Sequence, residues 1–75
     1  MPAFPNDAYN LLRSSIADPN PVIFLEHRWL HQIKWDGYGK NHKVKPLRKS
    51  NKISIGRDIT IVAHSVGSVY ALHAS

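Results

Sequence analysis

Two apolar runs constrain the fold of this chain more than any other feature. Residues 22–25 (VIFL) and residues 59–63 (ITIVA) are almost entirely apolar and lack polar alternation. Such a run is typical of a strand that is covered on both faces, as in a parallel α/β sheet. The chain has only 75 residues, and a domain of about 60 residues buries only ~60% of its unfolded surface. We therefore expect an α/β fragment of something larger.

One helical pattern precedes the first apolar run, and another follows the second. Asn6 or Asp7 is expected to cap a first helix, which Pro19 and Pro21 should end near Ala17 because a proline disfavours helical geometry in the preceding residue.

After the second apolar run, residues 65–68 (SVGS) can turn the chain into a second helix that begins near Val66. Residues 52–55 (KISI) alternate weakly, as a short edge strand does. The expected order is therefore helix, strand, long connector, strand and helix.

Composition excludes several classes of protein. The chain has no cysteine, so a disulfide framework and a thiolate metal site are excluded. A hydrophobic content of 43% with 20% charged residues is globular rather than disordered. No apolar run approaches the ~20 residues that span a bilayer, and no secretory signal is evident. We expect a soluble, cytoplasmic protein without a membrane partner.

A basic run gives the chain its net charge of +5. Its members are Lys40, Lys43, Lys45, Arg48, Lys49, Lys52 and Arg57. Clustered cations of this kind could bind a polyanion. Aromatic side chains do not interleave with the run, as stacking on bases would need. A solvated connector is the preferred interpretation, a basic polyanion-binding module is an alternative, and nucleic acid is an unexpected partner.

Ser65 is a candidate nucleophile. The sequence Ala63-His64-Ser65-Val66-Gly67 follows a predicted strand and precedes a predicted helix, which is the context of a G-x-S-x-G nucleophile elbow. A hydrolase triad then needs an acid and a histidine after the serine, and no acid follows here. A truncated serine hydrolase therefore remains an alternative.

The bend after the first helix is a candidate cation site. Helix carbonyls without partners carry partial negative charge, and Asp18 and Asn20 add side-chain oxygens in the same loop. Such oxygens suit a hard ion, although a plain helix stop explains the same residues. The spacing of His27 and His31 is not expected to mark zinc, because no third ligand accompanies the two residues.

Four stretches resemble one enzyme family. They are residues 7–16 (DAYNLLRSSI), residues 18–27 (DPNPVIFLEH), residues 46–49 (PLRK) and residues 56–65 (GRDITIVAHS). They look like the D-A-K-G-L-L-x-S-x-I, D-x-N-P-V-x-F-L-E-H, P-L-G-K and G-x-D-V-T-I-V-x-x-S patterns of the beta subunits of thiamine-diphosphate-dependent 2-oxo acid dehydrogenases. Pyruvate and branched-chain types both fit.

The resemblance implies three regions. Residues 1–30 would end a transketolase-like pyrimidine-binding domain, residues 31–57 would form a basic interdomain linker, and residues 58–75 would begin a transketolase C-terminal domain. The implied enzyme uses thiamine diphosphate to decarboxylate a 2-oxo acid and to acylate a lipoyl group. Its partners would be an alpha subunit in a heterotetramer and a dihydrolipoyl acyltransferase core.

The resemblance also bears on single residues. It implies a potassium ion held by the backbone carbonyl of Ser15, by Asp18 and by Asn20. It places no catalytic or cofactor-binding residue in this chain, so we expect the chain alone to be inactive. Its expected role is that of a scaffold and a subunit contact. Lys45, Arg48 and Asn51 stand where the family usually has Val, Gly and Ala, and they are departures from the pattern.

Overall fold

Two α-helices and one short 3-10 helix are the regular elements of the part of the chain that the structure describes. This computed structural model describes residues 1–35 and residues 46–75. Helix α1 covers Pro5–Ala17, the 3-10 helix covers Arg28–Gln32, and helix α2 covers Val66–Ala74. Both predicted α-helices are therefore confirmed, whereas the 3-10 helix was not predicted.

The start of α1 differs from the prediction. Phe4, not Asn6 or Asp7, is the N-cap residue, and no side chain caps the helix. Pro5 occupies the first helical position, where its fixed φ is already helical and its missing N–H leaves no donor to satisfy. The Ala8 N–H donates to the Phe4 carbonyl at 2.9 Å and closes the first turn.

The end of α1 lies where the prolines predict it. The Asp18 N–H donates to the Ser14 carbonyl at 3.1 Å, and Asp18 itself is already in a β-type conformation, with φ −71° and ψ 131°. A residue that precedes a proline is driven toward this region by contact with the proline ring. The helix therefore stops at Ala17 for a steric reason.

The 3-10 helix depends on the side chain of His27. The Trp29 N–H donates to His27 Nδ1 at 3.3 Å, so the imidazole caps the first turn. Within the turn, the Leu30 N–H donates to the His27 carbonyl at 3.0 Å. This local capping bond was not visible in the hydrophobic pattern of the sequence.

The predicted strands do not form. Residues 22–25, residues 52–55 and residues 59–63 contain no strand among the described residues. A strand needs a neighbour that accepts and donates its backbone hydrogen bonds. Apart from the half-buried Phe24, the side chains in these segments are exposed, with Ile23 86%, Ile55 86% and Val62 92% accessible. For the described residues, the α/β prediction is therefore correct for the helices and wrong for the strands.

Little of the chain is packed. Its accessible surface is 6708 Å², whereas a folded protein of 8.5 kDa exposes roughly 4700 Å². Its radius of gyration is 13.1 Å, against about 11 Å for a compact domain of this length. Apart from Pro2, Val69 is the one buried apolar residue among those described, beside the buried polar residues Asn10, Ser14, Ser65 and Ser68. An apolar core of normal size is therefore missing from the described residues.

No helix among the described residues is long and apolar enough to cross a bilayer.

Candidate functional site

The bend at the end of α1 brings two of the three predicted ligand residues into contact. The backbone N–H of Asn20 donates to Asp18 Oδ1 at 2.9 Å, and the Asn20 side-chain amide donates to the same oxygen at 3.0 Å. These two bonds form an Asx-type turn over Pro19. The Asp18 carboxylate is thereby held beside the open end of the helix.

Helix carbonyls at this bend lack their usual donors. In a continuing helix, the carbonyls of Ser15 and Ala17 would accept from residues 19 and 21, but both are prolines and carry no N–H. The Ser15 hydroxyl is not aimed at the bend, because it donates back to the Leu11 carbonyl at 2.7 Å. Ser15 can therefore contribute only its backbone oxygen, which is the atom that the resemblance implies.

Asp18 supplies a negative charge at the bend. Hydrogen bonds from the backbone N–H of Asn20 and then from its side chain lower the pKa of Asp18 below its ordinary value, and the positive charge of Arg48 contributes a smaller lowering. Carboxylate and carbonyl oxygens at a helix C-terminus together favour a cation. The oxygen atoms at this bend are thus of the kind that a hard cation prefers.

Histidine does not form a metal centre in the described part of the chain. No group of three or more His, Cys, Asp or Glu side chains is placed to hold a metal ion there. His27 caps the 3-10 helix. His31 Nε2 lies 3.2 Å from Glu26 Oε2. The sequence suggested neither of these two roles.

Ser65 has the backbone of a nucleophile elbow but not its surroundings. Its φ of 51° and ψ of −129° lie in a strained region for a residue with a Cβ. Its hydroxyl is buried, with the residue only 2% exposed, and has no hydrogen-bond partner within residues 1–35 and 46–75. A serine nucleophile needs a base within hydrogen-bond reach, and none of the residues that the structure describes supplies one to Ser65 Oγ.

The basic run is described only in part. Lys40, Lys43 and Lys45 lie outside the described residues, whereas Arg48, Lys49, Lys52 and Arg57 are all exposed. Exposed cations are what both a solvated connector and a polyanion-binding surface require. The choice between these two stays a prediction.

Comparison with known proteins identifies relatives of the whole chain. Over 75 residues, the chain is 37% identical to the pyruvate dehydrogenase E1 component subunit beta of Rhizobium meliloti and covers 16% of that protein. It is 31% identical over 75 residues to the 2-oxoisovalerate dehydrogenase subunit beta of Bacillus subtilis and covers 23% of it. Over 62 residues it is 39% identical to the mitochondrial 2-oxoisovalerate dehydrogenase subunit beta 2 of Arabidopsis thaliana, 17% of which it covers.

The other two comparisons give no match: neither a family model nor a solved structure matches the chain. The relatives nevertheless cover the chain from end to end at 31% and 37% identity. Over its whole length, the chain is therefore homologous to one segment of the beta subunits of 2-oxo acid dehydrogenases, and the predicted resemblance is confirmed. Its relatives include both pyruvate and 2-oxoisovalerate types, and the chain spans between 16% and 23% of the length of the three described above.

Proposed function

We propose that this chain acts as a scaffold and subunit-contact segment of a 2-oxo acid dehydrogenase beta subunit. The observation that carries the proposal is the match of all 75 residues to beta subunits that are several times longer. The complete enzyme would decarboxylate a 2-oxo acid with thiamine diphosphate and acylate a lipoyl group. An alpha subunit and a dihydrolipoyl acyltransferase core would be its partners.

The exposed apolar segments support this role. Residues 22–25 and residues 59–63 carry the side chains expected of covered strands, yet all of them except Phe24 are exposed to water here. In the proposal, they enter two sheets of the complete subunit, with residues 1–30 ending a pyrimidine-binding domain and residues 58–75 beginning a transketolase C-terminal domain. Residues 31–57 cross between the two domains. Burying one isoleucine of this kind contributes about 1.5–3 kcal/mol.

Thiamine diphosphate does not fit the described residues alone. Their best-formed cavity has a volume of about 170 Å³ and mostly apolar walls. Lysine, arginine and a divalent metal site, which a diphosphate needs, are all missing from those walls. No catalytic step is therefore assigned to this chain, and the scaffold role is the one that its geometry supports.

A chimera tests the proposal. The segment of the Bacillus subtilis beta subunit that matches this chain is replaced by these 75 residues. The chimera is then produced together with the Bacillus subtilis alpha subunit. We expect assembly of the two subunits and decarboxylation of a 2-oxo acid. A chimera that carries the same residues in shuffled order is the control. Assembly equal to that of the shuffled control, with no activity in either, would contradict the scaffold role.

We propose further that Ser15, Asp18 and Asn20 hold a potassium ion in the assembled subunit. The ion would balance the charge of the Asp18 carboxylate, and carbonyl oxygens at the end of α1 would coordinate it. Exchange of potassium for choline should lower the melting temperature of the active chimera, and Asp18→Ala should remove this dependence. Ser15→Ala is the matched control, because it keeps the backbone carbonyl and should keep the potassium dependence. A melting temperature that is the same in potassium and in choline would contradict the proposed ion site.

The strained backbone of Ser65 favours one rival, a serine hydrolase, and labelling separates the two functions. A fluorophosphonate probe forms a covalent bond to an activated serine and leaves an unactivated one unmarked. We expect no label, because Ser65 Oγ is buried and no described residue acts as its base. A label that disappears in Ser65→Ala would favour the hydrolase.

A further inference from the structure

An apolar cavity lies where the described parts of the chain meet. It has a volume of about 170 Å³ and is bounded by the N-terminal segment, by residues 26–35 and by α2. Phe4 and Trp35 contribute aromatic rings whose centroids are 5.0 Å apart and tilted by 58°. Ala8 of α1 and Val69 of α2 line other walls. The cavity is thus a joint product of segments that are distant in the sequence.

A single carboxylate gives this cavity its permanent charge. Glu26 lines it, and its Oε2 lies 3.2 Å from His31 Nε2. Glu26 Oε1 has no partner among the described residues, and the Glu26 side chain is 47% exposed. The other lining residues are apolar, apart from His27 and His31, which carry charge only when protonated. An otherwise basic protein therefore has one cavity that favours a positive ligand.

We propose that this cavity binds a small organic cation made of one ring and a short aminoalkyl arm. The ring would lie against Phe4 and Trp35, and the ammonium group would pair with Glu26 Oε1. An apolar cavity of about 150 Å³ is large enough to bind benzene. Aromatic faces attract cations in addition, and the free carboxylate oxygen supplies a charge-assisted acceptor. This site is independent of the proposed scaffold function.

Tryptophan fluorescence reports on the cavity directly. The chain has two tryptophans, and Trp29 lies outside the lining, with 66% of its surface exposed. In a Trp29→Phe background, Trp35 is therefore the sole tryptophan, and excitation at the red edge of the absorption band selects it over the tyrosines. Benzylammonium, benzyl alcohol and benzoate, which share a ring and differ in charge, are titrated in turn. We expect saturable changes in emission, with affinity falling from the ammonium to the alcohol and then to benzoate.

Two variants separate the charge from the space. Glu26→Gln should weaken benzylammonium binding about two- to fivefold, as for a partly exposed ion pair, and should leave benzyl alcohol unchanged. Ala8→Leu should fill the cavity and weaken both ligands about tenfold or more. Circular dichroism checks that α1 persists in each variant.

Three results would overturn the proposal: equal affinity for all three ligands, equal effects of Glu26→Gln on ammonium and alcohol, or unchanged binding in Ala8→Leu. The first two remain decisive even where Ala8→Leu does not fold, because they involve no change in the packing of α1.

Discussion

Residues 1–35 and residues 48–64 have similar apolar side chains but very different surroundings. The first region contains α1, the 3-10 helix, the Phe4–Trp35 ring contact and the Glu26–His31 pair. In the second, every residue is exposed. A helix satisfies its backbone hydrogen bonds within its own segment, whereas a strand depends on a neighbour. Local hydrogen bonds can therefore build the elements of the first region, whereas any strand in the second region would need a neighbouring strand.

The largest expected effect comes from a charge placed in the second region. Val62 is 92% exposed in the chain alone. Val62→Asp should therefore change the unfolding free energy of the chain by only about 0.5 kcal/mol. In the chimeric beta subunit, the same change should cost about 4 kcal/mol and prevent assembly, because it buries an unpaired charge. Urea unfolding of the chain and gel filtration of the chimera measure the two results. A chimera that still assembles with the Val62→Asp change would break the comparison.

Proline in each region is the next test. Leu12→Pro should cost α1 about 3 kcal/mol, because it removes a helix hydrogen bond and its ring clashes with the preceding turn. Ile55→Pro, in a segment that is 86% exposed at that side chain, should cost the chain about 0.5 kcal/mol. Far-UV circular dichroism should show loss of helix only in Leu12→Pro. Equal loss in both variants would contradict an independent α1.

The sequence predicted those parts of the fold that depend on local forces. Both α-helices and the stop at Ala17 follow from spacing and from two prolines that act on their immediate neighbours. The strands were predicted from side-chain pattern, but their pairing depends on groups that the described residues do not supply.

The candidate site divides in the same way. The Asp18–Asn20 turn is local, and the sequence pointed to that bend. The cavity was missed because it joins Phe4, Trp35 and Val69 across long stretches of chain. No spacing rule within one segment reports such a contact.

Ser65 offers a smaller test at the border of the second region. Its positive φ costs about 1–3 kcal/mol for a residue with a Cβ, whereas glycine adopts it freely but loses about 0.5–1 kcal/mol through chain entropy. Ser65→Gly should therefore stabilise the chain by about 1 kcal/mol in urea unfolding. Ser65→Ala is the control, because it removes the unpaired hydroxyl and keeps the strain. A gain no larger in Ser65→Gly than in Ser65→Ala would place the cost in the hydroxyl instead.

The smallest effect is the acid sensitivity of the bend after α1. The pKa of Asp18 is lowered first by the Asn20 backbone N–H, then by the Asn20 side chain, with a smaller contribution from Arg48. Because the folded pKa lies below the unfolded value of about 3.9, this stabilisation is complete above that value. It is lost as the pH falls through the folded pKa, where both states become protonated.

Nuclear magnetic resonance of the Asp18 carboxyl carbon measures this pKa directly. Asn20→Ala should raise the pKa only part of the way, since alanine keeps the backbone N–H that is the largest cause. Arg48→Gln should raise it less, because its charge acts through solvent, where salt screens it. The reverse order would mean that the charge of Arg48, in the second region, sets the pKa of Asp18 more than the local turn does. The two regions would then be coupled, although the other variants are expected to show that they are separate.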